Sequence, residues 1–344
     1  MTLVSAIIPA RNEEASIARA VESVAAQAEV GEVIVVNDQS TDRTAEILAE
    51  LGLRIPKLRV LETETLPAGW TGKNYALSVG ATAARGDWLL FTDADTYHLP
   101  GSTARALADA TEHQAALVSY SPEQEMETFW ERALIPVVYC RLAAKYSYAR
   151  VNDPKRPDAA ANGQFILIRR SAYGAVGGHR AVAAEVLEDV ALARRVKEAG
   201  YGIYFTARPG VVRTRMYRSF RALWEGWTKN LYQLMGASRG SMLKEILRGP
   251  VVMLILLGPL FVYGLGRGAW GWPAGGAVAL LALAHLKYAA ELHGNLLPVS
   301  LIQYYVPGLC LYWAALVASW WKTTHGSVMW KGRVYPAKAS QRAS

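Results

Sequence analysis

The stretch from Gly86 to His98, "GDWLLFTDADTYH", ends an apolar run on two carboxylates. The run "WLLF" is typical of an inner strand of a parallel sheet, which is buried on both faces and shows no polar alternation. Asp93 and Asp95 follow it directly. A bare carboxylate beside a core is costly unless a positive group lies against it. The stretch therefore predicts a site at the end of this strand that holds something positively charged.

Similar runs alternate with helical patterns through the first hundred residues. The other strand-like runs are "LVSAIIP" (3–9), "VIVVND" (33–38) and "LRVLE" (58–62). This alternation predicts an α/β domain with a mostly parallel sheet. Such sheets bind ligands at the carboxyl ends of their strands. The unusual residues that fall there are Arg11, Asp38, Asp93 and Asp95.

The turn after the first strand is poorly suited to phosphate. Its sequence, "PARNEE", has two acidic residues and lacks the glycines of a dinucleotide-binding turn. A divalent cation beside Asp95 would hold an anionic group instead, because Mg²⁺ and Mn²⁺ prefer oxygen ligands and often bridge carboxylates to phosphates. Asp95 and Asp93 are the predicted ligands. The two residues by themselves also fit a turn with capping aspartates.

Two further stretches carry charged residues at predicted helix starts. In "LEDVALARRVKEAG" (187–200), Glu188 and Asp189 open a helix, where acids complement the helix dipole or supply a general base. In "LPAGWTGKNYA" (66–76), Lys73 begins a helix, where it meets either phosphate or solvent.

The motifs "IIPARNEE", "VVNDQSTDRTAEI", "GK", "FTDADT" and "LEDVALARRVKEAG" occur in an order that resembles family 2 glycosyltransferases of the GT-A fold, over roughly residues 3–235. The resemblance implies that the first two motifs hold the uridine of a UDP-sugar. The implied contacts to base and ribose come from Pro9, Arg11, Glu13 and Asp38. Asp93 would touch the ribose or sugar, and Asp95 would ligate the metal. The family usually has two aspartates where this chain has Asn37 and Asp38.

The same resemblance assigns the chemistry and the acceptor side. The second acid of the pair, here Asp189, is the general base of an inverting displacement, and Glu188 orients or tunes it. The family places its acceptor-side wall near Asn162 and Gln164. The stretch "RTRMY" (213–217) stands where processive members carry Q-x-x-R-W, and it keeps only the arginine, Arg215. This argues against a polysaccharide synthase. It leaves Arg215 at the diphosphate or facing lipid.

The second half of the chain is strongly apolar. Hydrophobic residues make up 52% of the sequence and charged residues 19%. From Pro250 to Trp321, pieces near the roughly 20 residues that span a bilayer follow one another. We predict two or three transmembrane helices over 249–322, with buried helices of a soluble core as the alternative. The predicted domains are 1–215 (GT-A catalytic), 216–248 (interfacial amphipathic helices), 249–322 (transmembrane) and 323–344 (basic tail).

The net charge of +8 is concentrated before the apolar half, with nine basic and two acidic residues from Arg208 to Arg248. Trp224 and Trp227 interleave with these charges as in an interfacial helix, which favours a membrane surface over nucleic acid. "MTLVSAIIPA" shows no secretory signal pattern, so the catalytic domain is expected in the cytoplasm, at a bacterial-type inner membrane. Three spans would place the basic tail outside, against the positive-inside rule, so the number of spans stays open.

The stretches 66–76 and "VMWKGRVY" (328–335) resemble a subset of the family that acts on isoprenoid lipids, including hopanoid-associated and carotenoid glycosyltransferases. We therefore expect a membrane-bound enzyme that needs Mg²⁺ or Mn²⁺ and moves one sugar, with inversion, from a nucleotide sugar to a lipid. The expected partners are the nucleotide sugar, the lipid acceptor and the membrane, with no nucleic acid. The alternatives are a polyprenyl-phosphate or processive polysaccharide glycosyltransferase, and a non-catalytic membrane scaffold.

Overall fold

The computed structural model describes residues 3–235, 239–264, 271–325, 327–330 and 333–336 of the 344. The chain divides into two compact units, each built from two segments. These are Met1–Glu125 with Tyr146–Met216, and Met126–Lys145 with Tyr217–Ser344.

Within the described residues, the first unit is built on a seven-stranded sheet. Its strands are β1 (Val4–Ala10), β2 (Val30–Asn37), β3 (Leu58–Glu62), β4 (Trp88–Phe91), β6 (Leu117–Ser121), β8 (Ile166–Arg169) and β9 (Ile203–Ala207). They lie in the order β3-β2-β1-β4-β8-β6-β9. In this sheet β8 runs antiparallel to both of its neighbours, and the other pairs are parallel. The predicted α/β class with a mostly parallel sheet is confirmed.

Helices cover both faces of this sheet. They are α1 (Ile17–Ala25), α2 (Thr44–Arg54), α3 (Gly72–Ala83), α4 (Ser102–Glu112), α6 (Tyr148–Asn152), α7 (Arg170–Ala175) and α8 (Glu188–Glu198), with a 3-10 turn at Gly178–Val182. Successive strand residues point to opposite faces, so Ala6 and Ile8 of β1 enter one buried cluster while Ile7 enters the other. Burial on both sides explains why the strands read as continuous apolar runs.

The first unit also contains a separate sheet of three short strands. It contains β5 (Thr96–His98), β7 (Glu123–Gln124) and β10 (Val212–Thr214), in the order β5-β10-β7. Thr214 lies opposite Thr96 in the antiparallel pair. The pairing therefore brings a residue from late in the chain beside the end of the D-x-D stretch.

The described part of the second unit is mainly helical. Its elements are α5 (Phe129–Lys145), α9 (Phe220–Leu234), α10 (Arg239–Gly264), α11 (Gly271–Gly294), α12 (Tyr305–His325) and a hairpin of β11 (Ser327–Trp330) and β12 (Arg333–Pro336), with a 3-10 turn at Val299–Tyr304. Helix α12 packs against α5 and α9. A side chain at Gly308 would collide with the carbonyl oxygen of Ala133, so glycine allows α5 and α12 to approach closely. Residues 126–145, placed by sequence inside the 1–215 domain, thus belong with helices from the end of the chain.

One segment among the described residues, Val299–Thr324, is long and apolar enough to cross a bilayer. Of its most apolar stretch, 28% is buried inside the protein. The two or three spans expected over 249–322 stay a prediction. Much of the basic tail, including residues 331–332 and 337–344, lies outside the described residues.

Candidate active site

One lysine joins the two acidic motifs of the first unit. Nζ of Lys73, in the first turn of α3, is 2.8 Å from Oδ1 of Asp93 and 2.8 Å from Oε1 of Glu188. Asp93 follows β4, and Glu188 begins α8. Lys73 is therefore the positive group that the carboxylate at the strand end requires. An ammonium group has three N–H donors, so these two contacts leave one for a ligand.

The second acid of the pair is held by backbone groups. Oδ2 of Asp189 accepts a hydrogen bond from the N–H of Gly163 at 2.9 Å, and Oδ1 accepts one from the N–H of Val190 at 2.8 Å. A Cβ atom at Gly163 would lie 3.1 Å from Nζ of Lys73 and 3.4 Å from Oε1 of Glu188. Glycine at this position lets the main chain reach the acid cluster without displacing the side chains around it.

Burial and mutual repulsion separate the proton affinities of the two acids. Desolvation, then the charge of Glu188, raises the pKa of Asp189 to about 7, although Lys73 and the two backbone N–H groups oppose the shift. Desolvation would raise the pKa of Glu188 as well. The charge and hydrogen bond of Lys73 outweigh that effect and hold the pKa below its ordinary value. Glu188 is therefore ionised at neutral pH beside an Asp189 that takes up and releases a proton there.

Asp93 is also a perturbed acid. Desolvation raises its pKa to about 6, with a contribution from the charge of Asp95, while Lys73 opposes the rise. Desolvation alone would lower the pKa of Lys73, but the negative charges of Asp93 and Glu188 raise it well above its ordinary value. Lys73 is thus a permanent cation in this cluster.

Asp95 is supported by a chain of hydrogen bonds through the core. Oγ1 of Thr214 donates to the carbonyl of Asp95 at 3.2 Å, and Nε2 of Gln164 donates to Oγ1 of Thr214 at 3.0 Å. Oγ1 of Thr92 donates to the carbonyl of Gln164 at 2.8 Å. Gln164 is buried and is linked to Asp95 through Thr214. Asn162, predicted with it on the acceptor side, is half-buried, and its Oδ1 accepts a hydrogen bond from the N–H of Gln164 at 3.0 Å.

The residues present fit a hard divalent cation that completes its coordination with substrate. Asp95 offers a half-buried carboxylate at the strand end, and Asp93, whose Oδ1 contacts Lys73, adds a neighbouring one. Mg²⁺ and Mn²⁺ are commonly held by one or two carboxylates together with substrate phosphates. Among the described residues, the one tight group of three metal-ligating side chains lies elsewhere, on and just after α4, and its Asp109 is already bound by arginines and a tyrosine.

The loops after β1 and β2 are joined to each other at the same sheet edge. Nη1 of Arg11 donates to the carbonyl of Asp38 at 2.6 Å, and Oδ1 of Asp38 accepts from Oγ1 of Thr63 at 2.7 Å. Asn12 and Gln39 adopt left-handed backbone conformations, with φ of 52° and 54°. Such conformations are uncommon outside glycine and cluster at functional sites.

The other residues of the predicted nucleoside contact lie nearby in the chain. Pro9 is in β1 and half-buried. The N–H of Glu13 donates to Oγ1 of Thr44 at 2.8 Å, and its Oε2 accepts from Oγ of Ser16 at 3.2 Å. The loop before α1 is therefore fixed by polar contacts.

Arg215 follows β10 and is half-buried. The hydrogen bond from Arg19 holds the pKa of Glu125 below its ordinary value, and the charge of Arg215 contributes to the shift. This places Arg215 within electrostatic reach of Glu125. A contact between Arg215 and the diphosphate remains a prediction.

The two buried histidines have structural partners. His98 lies between the hydroxyls of Thr92 and Ser102, and burial lowers its pKa to about 3. Nδ1 of His179 is 2.9 Å from the hydroxyl of Tyr173, and desolvation lowers the pKa of His179 to about 4. Both imidazoles are therefore neutral at pH 7.

The structure brings Lys73, Asp93, Glu188 and Asp189 into one cluster. Sequence reasoning missed Gly163 as a hydrogen-bond donor. It also missed Asn74, which is buried next to Lys73 and whose Nδ2 donates to main-chain carbonyls of residues 182–185. A glycine next to a predicted acceptor-side residue was the available signal for Gly163. For Asn74, the only available signal was its position after the "GK" pair.

Residues 5–177 match the family described as glycosyl transferase family 2. The chain is 27% identical over 347 residues to a 4,4'-diaponeurosporenoate glycosyltransferase of Staphylococcus aureus (strain MRSA252), covering 97% of this chain and 88% of that one. A mannosyltransferase from Pyrobaculum calidifontis, solved in complex with GDP-Man and Mn2+, superposes with a TM-score of 0.55 at 22% identity, covering 93% of this chain and 86% of that one. The structural likeness shows the predicted GT-A fold.

Proposed function

Because the chain belongs to glycosyl transferase family 2, we propose that it moves one sugar, with inversion, from a nucleotide sugar to a lipid acceptor at a membrane. The observation that carries this proposal is the cluster around Lys73. It places an ionised acid, a cation and an acid with a pKa near 7 together, and Asp93 of the cluster follows the carboxyl end of β4.

The donor side of the proposal is based on the loops after β1 and β2. The carboxyl edge of a parallel sheet is where such folds bind nucleotides. Arg11 and Asp38 are already linked there through the Asp38 carbonyl. The resemblance of the motifs favours uridine, while the Pyrobaculum calidifontis mannosyltransferase was solved with GDP-Man. Uridine and guanosine diphosphate sugars are therefore the two donor classes to compare.

Asp189 is the residue proposed to take the acceptor proton. A hydroxyl of the acceptor loses its proton to a carboxylate oxygen of Asp189, and its oxygen forms a bond to the anomeric carbon. The bond from that carbon to the leaving phosphate oxygen breaks on the opposite face, so the nucleoside diphosphate departs with the electron pair. The N–H groups of Gly163 and Val190 hold the carboxylate in one orientation during this step.

Asp95, with Asp93 beside it, would hold the Mg²⁺ or Mn²⁺. When bound, such an ion neutralises the charge that develops on the departing diphosphate. The remaining N–H of Lys73 is proposed to contact the same phosphates. Thr214 and Gln164 fix the main chain of Asp95 from behind.

A cluster of exposed aromatic rings in the second unit supports membrane binding. Phe129, Trp130 and Phe220 are 47%, 41% and 40% exposed, and their rings pack on one another. The ring of Phe129 also contacts Tyr304, within the apolar segment Val299–Thr324. Aromatic side chains concentrate where transmembrane segments meet the interface. The cluster is therefore proposed to lie at the headgroup level of the bilayer.

Helices α10 and α11 expose large apolar side chains as well. Those more than half exposed include Leu254, Phe261, Leu283 and Leu286. Large apolar side chains exposed in such numbers favour a contact with another protein or with a membrane. We place the enzyme in a bacterial-type inner membrane, with its first unit in the cytoplasm.

The Staphylococcus aureus relative, named for the carotenoid 4,4'-diaponeurosporenoate, supports an isoprenoid acceptor for this chain. A hopanoid or carotenoid is the proposed class. Addition of a single sugar is favoured because "RTRMY" keeps only the arginine of the processive motif. A polyprenyl phosphate is the alternative acceptor.

The function is tested with the full chain in detergent or nanodiscs. Nucleotide release is measured from UDP- and GDP-sugars with Mn²⁺ or Mg²⁺, in the presence of lipid extracts, and the lipids are examined by mass spectrometry. We expect metal-dependent release with one donor class and a lipid product heavier by one hexose. Products with several sugars would favour a processive enzyme. Absence of release from every nucleotide sugar would contradict the proposal.

The pKa of Asp189 predicts the pH dependence. A carboxylate accepts a proton only when ionised, so kcat should rise with pH through about 7. Glu188→Gln removes the negative charge that contributes to the raised pKa, so the acid limb of the kcat profile should move to lower pH. The measurement is kcat at saturating donor from pH 5 to 9 for both proteins. An acid limb that stays in place in Glu188→Gln would contradict the coupling of the two acids.

A further inference from the structure

Asn74 lies next to Lys73 and is entirely buried. Its Nδ2 is 2.8, 3.0 and 2.9 Å from the carbonyl oxygens of Val182, Ala183 and Glu185. A side-chain amide has two N–H donors, so three carbonyls share two hydrogens. Both N–H donors of the Asn74 side chain are therefore used by one loop, residues 182–185.

That loop leads directly into the acid pair. Residues 182–185 precede Leu187, the residue before helix α8, and Glu188 is the first residue of that helix. A second bond joins the same segments, because the N–H of Thr71 donates to the carbonyl of Ala183 at 2.9 Å. Oγ1 of Thr71 also caps α3 by accepting from the N–H of Asn74 at 3.3 Å. The start of α3 and the loop before α8 are thus fastened together.

The other end of the Asn74 amide is unsatisfied. Its Oδ1 is buried and has no hydrogen-bond partner among the described residues. An unpaired buried acceptor is unfavourable, so a sequence selected only for stability would not be expected to place one here. Such departures from local rules concentrate at functional sites. The loop carbonyls set the orientation of the Asn74 side chain, and this orientation leaves Oδ1 without a hydrogen bond.

We propose that Asn74 is a positioning residue that keeps Glu188 and Asp189 at a fixed distance from Lys73. This role rests on the proposed function. The 2.8 Å contact between Lys73 and Glu188 joins α3 to α8, and the Asn74 clamp sets the distance between the two helix starts. Displacement of a catalytic group by about 1 Å can lower the rate about a hundredfold. The clamp therefore acts on turnover through the acid pair, without touching substrate.

Two variants of Asn74 test this role. Asn74→Asp places an acceptor against three carbonyls, and Asn74→Ser leaves at most one donor. The matched control is Asn152→Asp, because Asn152 clamps the main chain of Phe205 through Nδ2 at 3.0 Å and Oδ1 at 2.8 Å, on α6. All three variants are compared for kcat and KM with the nucleotide sugar, and for Tm. If Asn74→Asp does not fold, Asn74→Ser carries the same comparison.

We expect both Asn74 variants to lose kcat by at least about tenfold with little change in KM, while Asn152→Asp loses Tm and keeps its kcat. A second readout does not depend on turnover. Ion pairing suppresses the reactivity of Lys73, so an amine-acylating reagent, followed by mass spectrometry, should modify Lys73 several-fold faster in the Asn74 variants than in the wild type and in Asn152→Asp.

Wild-type kcat in the Asn74 variants, or Lys73 acylation at the wild-type rate, would overturn the assignment. An inactive wild type would count against the proposed function alone, since the acylation rate would still decide the role of Asn74.

Discussion

Asp189→Asn should lower turnover by about a hundredfold or more, the contribution expected of a general base. Asparagine has nearly the shape of aspartate and keeps one acceptor for the backbone N–H groups of Gly163 and Val190, but it cannot take a proton from the acceptor. Nucleotide affinity should stay near the wild-type value, because the proposed role of Asp189 is at the acceptor and not at the nucleotide. Turnover is measured as nucleotide release, and affinity is measured by calorimetry with UDP or GDP and Mn²⁺.

The matched control is Glu198→Gln, which removes a charge from the exposed end of the same helix. It should keep full activity. Tm tests whether loss of fold explains the Asp189→Asn result. The pKa of Asp189 is raised in the folded protein, so a neutral side chain removes a charge that destabilises the fold above about pH 7, and this gain opposes the loss of one of the two backbone hydrogen bonds. Wild-type turnover in Asp189→Asn would refute the assignment of the base.

Asp95→Asn should abolish the dependence of nucleotide affinity on Mn²⁺ and lower turnover by about a hundredfold or more. The carboxylate of Asp95 is the proposed ligand for the ion, and an amide is a much weaker one. The measurement is a titration of UDP or GDP with and without Mn²⁺, for the wild type and the variant. We expect the metal to strengthen binding to the wild type alone.

Asp87→Asn is the control for this variant. Asp87 is exposed at the opposite end of the same strand, β4, so the substitution makes the same chemical change away from the site. The control should retain the Mn²⁺ dependence. If Asp95→Asn binds nucleotide in a Mn²⁺-dependent manner like the wild type, the metal is held by other residues.

The parts of the fold that were predictable are those governed by local pattern. Burial on both faces makes β1, β2 and β4 continuous apolar runs, and an acid pair before apolar residues at helical spacing marks the start of α8. The rule that parallel sheets bind ligands at their carboxyl edge then places Asp38, Asp93 and Asp95 near one another. These steps use only neighbours in the chain and one general rule of topology.

The contacts that complete the site join distant parts of the chain. Lys73 meets Glu188 across more than a hundred residues, and the pairing of Thr214 with Thr96 depends on a strand from the end of the first unit. Helix α5 reads as part of the catalytic domain, and its partners α9 and α12 come much later in the sequence. Gln164, predicted on the acceptor side, is buried and donates a hydrogen bond to Thr214, fifty residues later in the chain. One sequence holds no signal for such long-range partners.

Anomalous scattering from manganese tests the central claim most directly. Crystals of the full chain grown with Mn²⁺ and UDP or GDP would be measured at the manganese edge, which locates the ion independently of the rest of the density. The account predicts a peak about 2 Å from a carboxylate oxygen of Asp95, with the diphosphate on the same ion and the nucleoside beside Asp38. A peak at the Asp109, Glu112 and His113 group alone, or a nucleotide bound without an ion at Asp95, would contradict it.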